Sequence, residues 1–409
     1  MLTWPAETQE ENTVLSPLQF RAPAERRPSV AAVLVGMTAL LWSASAYAQT
    51  VDVDRVVSQL EPEIRRAMVG GGIPGLSVAL VVGDEVVWAR GFGYSNSWGK
   101  VPATTQTVYY IASTLKPITA AALLQQMEQG KFQLDDPVRN YLGDLMLRGE
   151  DPENPITFRH LLTHTSGLPS GGGGVDLWEN RGVGSFEEYI REDLEVAGPP
   201  GEEVQYSNPA FALIAHLVEV FSGVPFADYV KENIWDPLGM DDTRFTPTPS
   251  MHERMAIPYV VAGDNGQLVP GEIRRRSYAW PAGSAFSTVD DMARWLIANL
   301  NNGLFNDHRV LSEETVSAMH TVQRMTRPTG AGRDGAESGY GLTWMVSDVE
   351  GDRHFSHSGS MTGYTNFISG NRDKRLGFLI LTNGQRQHPQ LIGLSDIALS
   401  LLQEHSRNP

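Results

Sequence analysis

The sequence predicts an α+β protein: an α/β sandwich whose mainly antiparallel sheet is flanked by helices, with a mostly helical subdomain inserted into it. Three observations carry this prediction. Apolar, β-branched runs gather near both ends of the 409-residue chain. The stretch between them reads as short helices and loops. The strands follow one another across turns, without the alternating helices that a parallel βαβ series needs. The sandwich is expected over residues 49–134 and 282–409, and the helical subdomain over 135–281.

Taken in order, the first element is a leader. Arg26 and Arg27 precede an apolar run from Val30 to Trp42, and small residues follow as far as Ala46-Tyr47-Ala48. A basic region, a short apolar core and an A-x-A site form a secretory signal peptide, cut after Ala48. Residues 1–25 ahead of it form a long, partly acidic stretch with no part in the fold argument. The apolar core is shorter than the ~20 residues that a membrane span needs, so no stable insertion is expected after cleavage. The mature protein is expected in the periplasm or outside the cell.

Val56, Leu60, Ile64 and Met68 fall at helical spacing and predict a helix over 53–68, stopped by Gly70-Gly71-Gly72. Leu76–Val82 and Val86–Gly91 are apolar, β-branched runs on either side of Gly83-Asp84-Glu85 and predict a hairpin. A long helix is expected from Ser113 to Gln129. Pro117 fits its first turn, where backbone N–H groups have no intrahelical partner. In the middle of the chain, Phe158–His164 and Asn208–Ser222 are the clearest helices, and Ser170–Gly174 reads as a loop. A helix over Val289–Asn301 follows. Strands are expected at Tyr340–Ser347, Arg353–Ser356, Tyr364–Ser369 and Leu376–Thr382, and a closing helix at Leu391–Gln403.

Composition narrows the function. With 41% hydrophobic and 20% charged residues the chain is globular. Its net charge of −16 repels phosphate backbones, so no nucleic-acid partner is expected. The absence of cysteine removes thiolate nucleophiles, disulfides and cysteine zinc sites. No G-x-S-x-G elbow or Walker loop occurs. His160 and His164 are spaced i, i+4, and His354 and His357 lie three apart. Neither pair has the glutamate of H-E-x-x-H, so no metal site is expected.

Three short motifs carry candidate chemistry. Ser113-Thr114-Leu115-Lys116 at a helix start puts a hydroxyl and an ammonium on one face. A desolvated lysine can activate a serine, and the helix N-terminus presents N–H groups to an oxyanion. Ser97-Trp98-Gly99-Lys100 repeats the pattern in a glycine-rich loop with nothing to align it. Tyr206-Ser207-Asn208 offers a proton relay, if cations depress the tyrosine pKa, and an amide-binding group; equally, Ser207 or Asn208 ahead of Pro209 is good capping chemistry. Tyr94-Ser95-Asn96 and Tyr364-Thr365-Asn366 repeat that pattern too. His357-Ser358-Gly359-Ser360, at a predicted strand end, offers a glycine for close backbone approach and an edge for a substrate to pair along. A partly buried strand histidine is the plain alternative for His357.

In this order, S-x-x-K, Y-x-N and H-x-G resemble the serine penicillin-recognising superfamily. The similarity is to its branch of class C β-lactamases, D-alanyl-D-alanine carboxypeptidases and β-lactamase-like esterases, over roughly residues 52–404. It extends to Pro74–Ala79, Leu134–Val138, Leu161–Leu168, Pro281-Ala282-Gly283-Ser284 and Gly339-Tyr340-Gly341-Leu342. The resemblance implies Ser113 as the nucleophile, Lys116 as its activator, and Tyr206 as base or proton relay. It implies that Asn208 orients the acyl side of the substrate. The backbone N–H groups of Ser113 and Ser360 would form the oxyanion hole, with His357, Ser358 and Gly359 lining the substrate strand. No metal or organic cofactor is implied. His357 stands where class C β-lactamases carry the lysine of K-T-G, as in carboxypeptidases and D-aminopeptidases of the family. The expected function is an exported serine hydrolase acting on an ester or amide of a small molecule or peptide. The alternatives are a true class C-like β-lactamase, or a non-catalytic module binding β-lactams or peptidoglycan peptides.

Overall fold

A computed structural model describes residues 50–171, 185–192, 194–262, 267–272, 278–325, 338–385 and 387–407. The signal-peptide reading of residues 1–48 and the Gly172–Gly174 part of the predicted loop lie outside the described residues.

The architecture rests on a nine-stranded, wholly antiparallel sheet. Its strands are β1 (Gly75–Val82), β2 (Glu85–Asn96), β3 (Val101–Pro102), β4 (Arg324–Met325), β5 (Ser338–Tyr340), β6 (Met345–Val349), β7 (Asp352–Met361), β8 (Tyr364–Asn371) and β9 (Leu376–Thr382). They lie side by side as β4-β5-β6-β7-β8-β9-β1-β2-β3. Within this sheet the last strand in sequence, β9, pairs with the first, β1, from Leu376 opposite Val82 to Thr382 opposite Leu76.

The expected strand over Tyr340–Ser347 is two strands, β5 and β6. Between them Thr343 takes a positive φ of 78° and Gly341 donates its N–H to the Trp344 carbonyl, so the chain reverses there. β7 runs five residues past the expected end at Ser356, because the polar run His357–Ser360 pairs with β8. A hairpin of Tyr259–Ala262 with Gln267–Pro270, unsignalled in the sequence, sits within the stretch 135–281, whose other regular elements among the described residues are helices.

Strand alternation sorts the apolar residues onto two faces. Leu76, Val78, Leu80, Leu376, Phe378 and Ile380 face two terminal helices, α1 (Val53–Gly71) and, at the C-terminal end, His388–Glu404. Ala79, Val81, Leu379 and Leu381 face the other way, into a larger core. That core holds α2 (Lys116–Glu128), α3 (Pro209–Ser222) and α4 (Val289–Leu300); the helix His388–Glu404 is α5. With both faces covered, β1 and β9 are buried throughout and read as continuous apolar runs.

Local chemistry fixes the helix ends. Asp52 caps α1, accepting from the Arg55 N–H at 3.2 Å, and Gly72 closes it in the left-handed region. No single helix among the described residues is long and apolar enough to cross a membrane.

Candidate active site

The site forms where α2, α3 and β7 converge. Ser113 lies in a single 3-10 turn, Ala112–Leu115, that leads directly into α2, so Lys116 is the first α-helical residue and Pro117 falls in the first turn. Ala112 enters this turn with φ 49°, a left-handed conformation uncommon for alanine. Two glycines press against it. A Cβ on Gly359 of β7 would lie 2.5 Å from the Ile111 carbonyl oxygen and 3.2 Å from the Ser113 nitrogen. A Cβ on Gly283 would lie 3.0 Å from the Ala112 carbonyl carbon. The serine-bearing turn is seated between two backbones that have no side chain at the point of contact.

Lys116 is fully buried. Its Nζ lies 3.1 Å from Ser113 Oγ, 2.7 Å from Asn208 Oδ1 and 2.8 Å from the Ala282 carbonyl oxygen. Burial holds its pKa well below the usual lysine range. A neutral amine has two N–H donors and one lone pair. Asn208 Oδ1 and the Ala282 carbonyl can only accept, so they take both donors. The lone pair is left for the Ser113 hydroxyl, which is the arrangement a general base requires.

The Tyr206 ring lies 4.7 Å below that Nζ. Its phenol departs from expectation. Burial raises the pKa, nearby Tyr340 adds to the rise, and the Ser113 hydroxyl only partly opposes it. With Lys116 neutral, no charged neighbour is there to depress the phenol. Tyr206 therefore stays protonated and suits a relay, not a phenolate base. The choice between capping and chemistry at the next two residues is divided between them. Ser207 Oγ accepts from the Ala210 N–H at 3.2 Å and donates to the Pro169 carbonyl at 2.9 Å. Asn208 makes no side-chain cap bond, and its carbonyl oxygen is on Lys116.

On β7, alternate residues face the site. His357 and Gly359 are buried on the side of the serine turn. Ser358 points the opposite way: it lines a cavity of about 520 Å³ between the sheet and α5, so only its backbone reaches the site side. Ser360 has an exposed side chain. Its N–H matters more. The two-residue turn Thr362-Gly363 makes Met361–Tyr364 the hydrogen-bonded pair, so by alternation Ser360 directs its N–H away from β8. β6 stops opposite Ser356, which leaves that side of residues 357–361 open to pairing. His357 Nδ1 lies 2.7 Å from the Ser358 carbonyl, and burial, with Lys116 nearby, brings its pKa down to about 3. It is uncharged at neutral pH.

The lookalike motifs stand apart. Lys100 is exposed in a turn at φ 52°, and Tyr364 donates to the Ala256 carbonyl at 2.6 Å within the core. The i, i+4 histidine pair does not share a helix face. The helix Phe158–Leu162 ends first, His160 Nδ1 accepts from the Thr157 N–H, and His164 has a left-handed backbone. Three site components were not recognised as such from the sequence: the Ala282 carbonyl, Tyr340, and His164, which was weighed only as a metal ligand. Each falls in a segment already marked by family likeness, but a carbonyl acceptor and a packed ring have no signature in residue type alone.

Residues 60–402 match the family model described as Beta-lactamase. The chain is 26% identical to protein flp of Staphylococcus aureus over 340 residues, which is 82% of this chain and 64% of that protein. It is 26% identical to a penicillin-binding protein of Bacillus subtilis over 324 residues, 75% of this chain and 67% of that one. The chain therefore spans under two thirds of the length of the Staphylococcus relative. Among solved structures it resembles the octameric penicillin-binding protein homologue of Pyrococcus abyssi, with a TM-score of 0.72 and 31% identity over 86% of this chain and 78% of that one. Its fold also resembles the β-lactamase/D-alanine carboxypeptidase of Yersinia pestis, with a TM-score of 0.69 and 20% identity over 86% of this chain and 99% of that one.

Proposed function

Because the chain belongs to the β-lactamase family, a superfamily of serine hydrolases, we propose that it hydrolyses a small ester or amide through an acyl-enzyme on Ser113. The observation that carries this reading is the environment of Lys116. Two obligate acceptors take its N–H groups and turn its lone pair to the serine hydroxyl. A module that only binds ligands has no use for that arrangement.

In this reading Ser113 Oγ attacks the substrate carbonyl carbon as its proton passes to Lys116 Nζ. The oxyanion is held by the backbone N–H groups of Ser113 and Ser360, at the mouth of a helix start that favours negative charge. The bond to the leaving group then breaks, and the leaving group receives the proton from Nζ by way of the Tyr206 hydroxyl. Water repeats the sequence on the acyl carbon and regenerates Ser113. Asn208 fixes Lys116 through its carbonyl oxygen and leaves its amide NH2 for the acyl side of the substrate.

The uncharged His357 supports an ester or amide without a free carboxylate over rapid β-lactam turnover, since it presents no fixed cation to a β-lactam carboxylate where the class C branch has a lysine. Acylation by a penicillin and by p-nitrophenyl acetate, compared in wild type and His357→Lys, tests this. The penicillin-to-ester rate ratio should rise in the variant by about tenfold, the effect of one added ionic contact. A fast penicillin reaction in wild type, unaffected by the change, would favour the β-lactamase alternative. Ligand binding that survives Ser113→Ala, with no turnover in wild type, would favour the binding module. Export is part of the proposal and is supported by the Arg26–Ala48 pattern. An N-terminus at Gln49 on protein recovered from the periplasm or medium is the expected result.

A further inference from the structure

His164 belongs to no catalytic step above, yet it is fully buried beside the site and has a positive φ of 57°. Such a backbone persists only where the surroundings hold it there. Here they do. Its carbonyl accepts from the Gln205 N–H at 2.7 Å, and its Nδ1 accepts from the Ser207 N–H at 3.1 Å. Its ring lies against Tyr206 with centroids 4.3 Å apart. One residue thus touches three consecutive residues of the chain, and does so with its carbonyl, its ring nitrogen and its ring face. Phe211 and Tyr340 also pack against the ring, with centroids at 5.6 Å and 5.3 Å.

We infer that His164 is a positioning residue that sets the turn carrying Tyr206 and Asn208 against Lys116. Ser207 lies between these two, so the placement of its backbone determines where both side chains arrive. A backbone N–H accepted at Nδ1 puts the ring proton on Nε2 and fixes one neutral tautomer. Burial and the proximity of Lys116 oppose a second proton, so the acceptor is constant across the working pH range. Nε2 itself has no hydrogen-bond partner among the described residues. The ring is therefore held for what Nδ1 and its face do.

The inference rests on the proposed acyl-enzyme for its rate consequence, but not for its structural one, and the test separates them. His164→Asn keeps an acceptor atom in the δ position and tolerates a positive φ. His164→Phe keeps the ring and loses the acceptor. Hydrogen exchange at the Ser207 amide should quicken in His164→Phe by about 10²-fold, with little change in residues remote from 205–208, and should remain slow in His164→Asn. Acylation by p-nitrophenyl acetate at saturation, followed by intact mass, should slow about 10- to 100-fold in His164→Phe, as expected for displaced reacting groups, with much of the loss recovered in His164→Asn. Equal exchange at Ser207 in wild type and His164→Phe would overturn the inference. So would exchange in the two variants that changes alike. If wild type forms no adduct at all, the proposed function fails, and the exchange comparison still decides the role of His164.

Discussion

Lys116 has three neighbours and, when neutral, two donors and one lone pair with which to meet them. Lys116→Ala should slow acylation at least ~10²-fold, as loss of a general base does, when single-turnover rates are compared by rapid quench. Lys100→Ala should leave the rate near wild type. The same burial predicts a pH signature in stability. An unfolded-chain lysine holds its proton up to about pH 10.4, whereas the buried amine of the folded state does not, so the unfolded state binds the extra proton and stability rises with pH. Wild type should therefore gain stability relative to Lys116→Met as pH rises toward about 10.4, seen as a changing difference in melting temperature. A constant difference would mean that the amine is charged in the fold. At this scale the serine, lysine, tyrosine and asparagine lie in short motifs that repeat elsewhere in the chain, and it was the order of the motifs, resembling a known superfamily, that singled them out. The protonation state of Tyr206 was not legible. It depends on whether Lys116 is charged, and burial decides that.

The element that matters most for geometry is β7, because the serine turn is seated on it. Gly359→Ala places a methyl group 2.5 Å from the Ile111 carbonyl oxygen, and backbone on both sides has to move. A cost of about 1–3 kcal/mol is expected, as for other overpacked sites, together with an acylation rate at least about tenfold lower. Gly393→Ala in α5 meets nothing within 4 Å and should be neutral or stabilising by about 0.5–1 kcal/mol. Chemical denaturation of both variants checks the contrast. Elements with strong apolar periodicity, such as α1 and β9, were legible almost to the residue. β7 was read short because His357–Ser360 lacks apolar alternation, and its pairing with β8 comes from the hairpin at Thr362-Gly363. Ser358 was named with His357 and Gly359 along the substrate strand, with nothing to say which way its side chain points. Strand alternation sends it to the opposite face, a point fixed only once the strand register is known.

At the scale of the molecule, the sheet depends on a pairing between the two ends of the chain. β9 joins the N-terminal hairpin to the C-terminal strands, and α1 and α5 lie together on the same outer face. A chain ending after Asn371 loses β9 and α5 and leaves Leu76, Val78 and Leu80 without their partners. It should show no cooperative melt, whereas residues 49–409 should melt cooperatively. That the two ends share one sheet was legible from the distribution of apolar runs; the strand order was not, because long-range pairing has no local signal. All of this architecture brings Ser113, Lys116, Tyr206 and Asn208 to one place, and the claim that they perform acyl transfer has one direct measurement. Residues 49–409 would be mixed with p-nitrophenyl butyrate, quenched in the millisecond to second range, and weighed intact, with the modified peptide then identified. The account predicts a single butyryl adduct on the peptide containing Ser113, absent in Ser113→Ala. No adduct in wild type, or one that persists unchanged in Ser113→Ala, would contradict it.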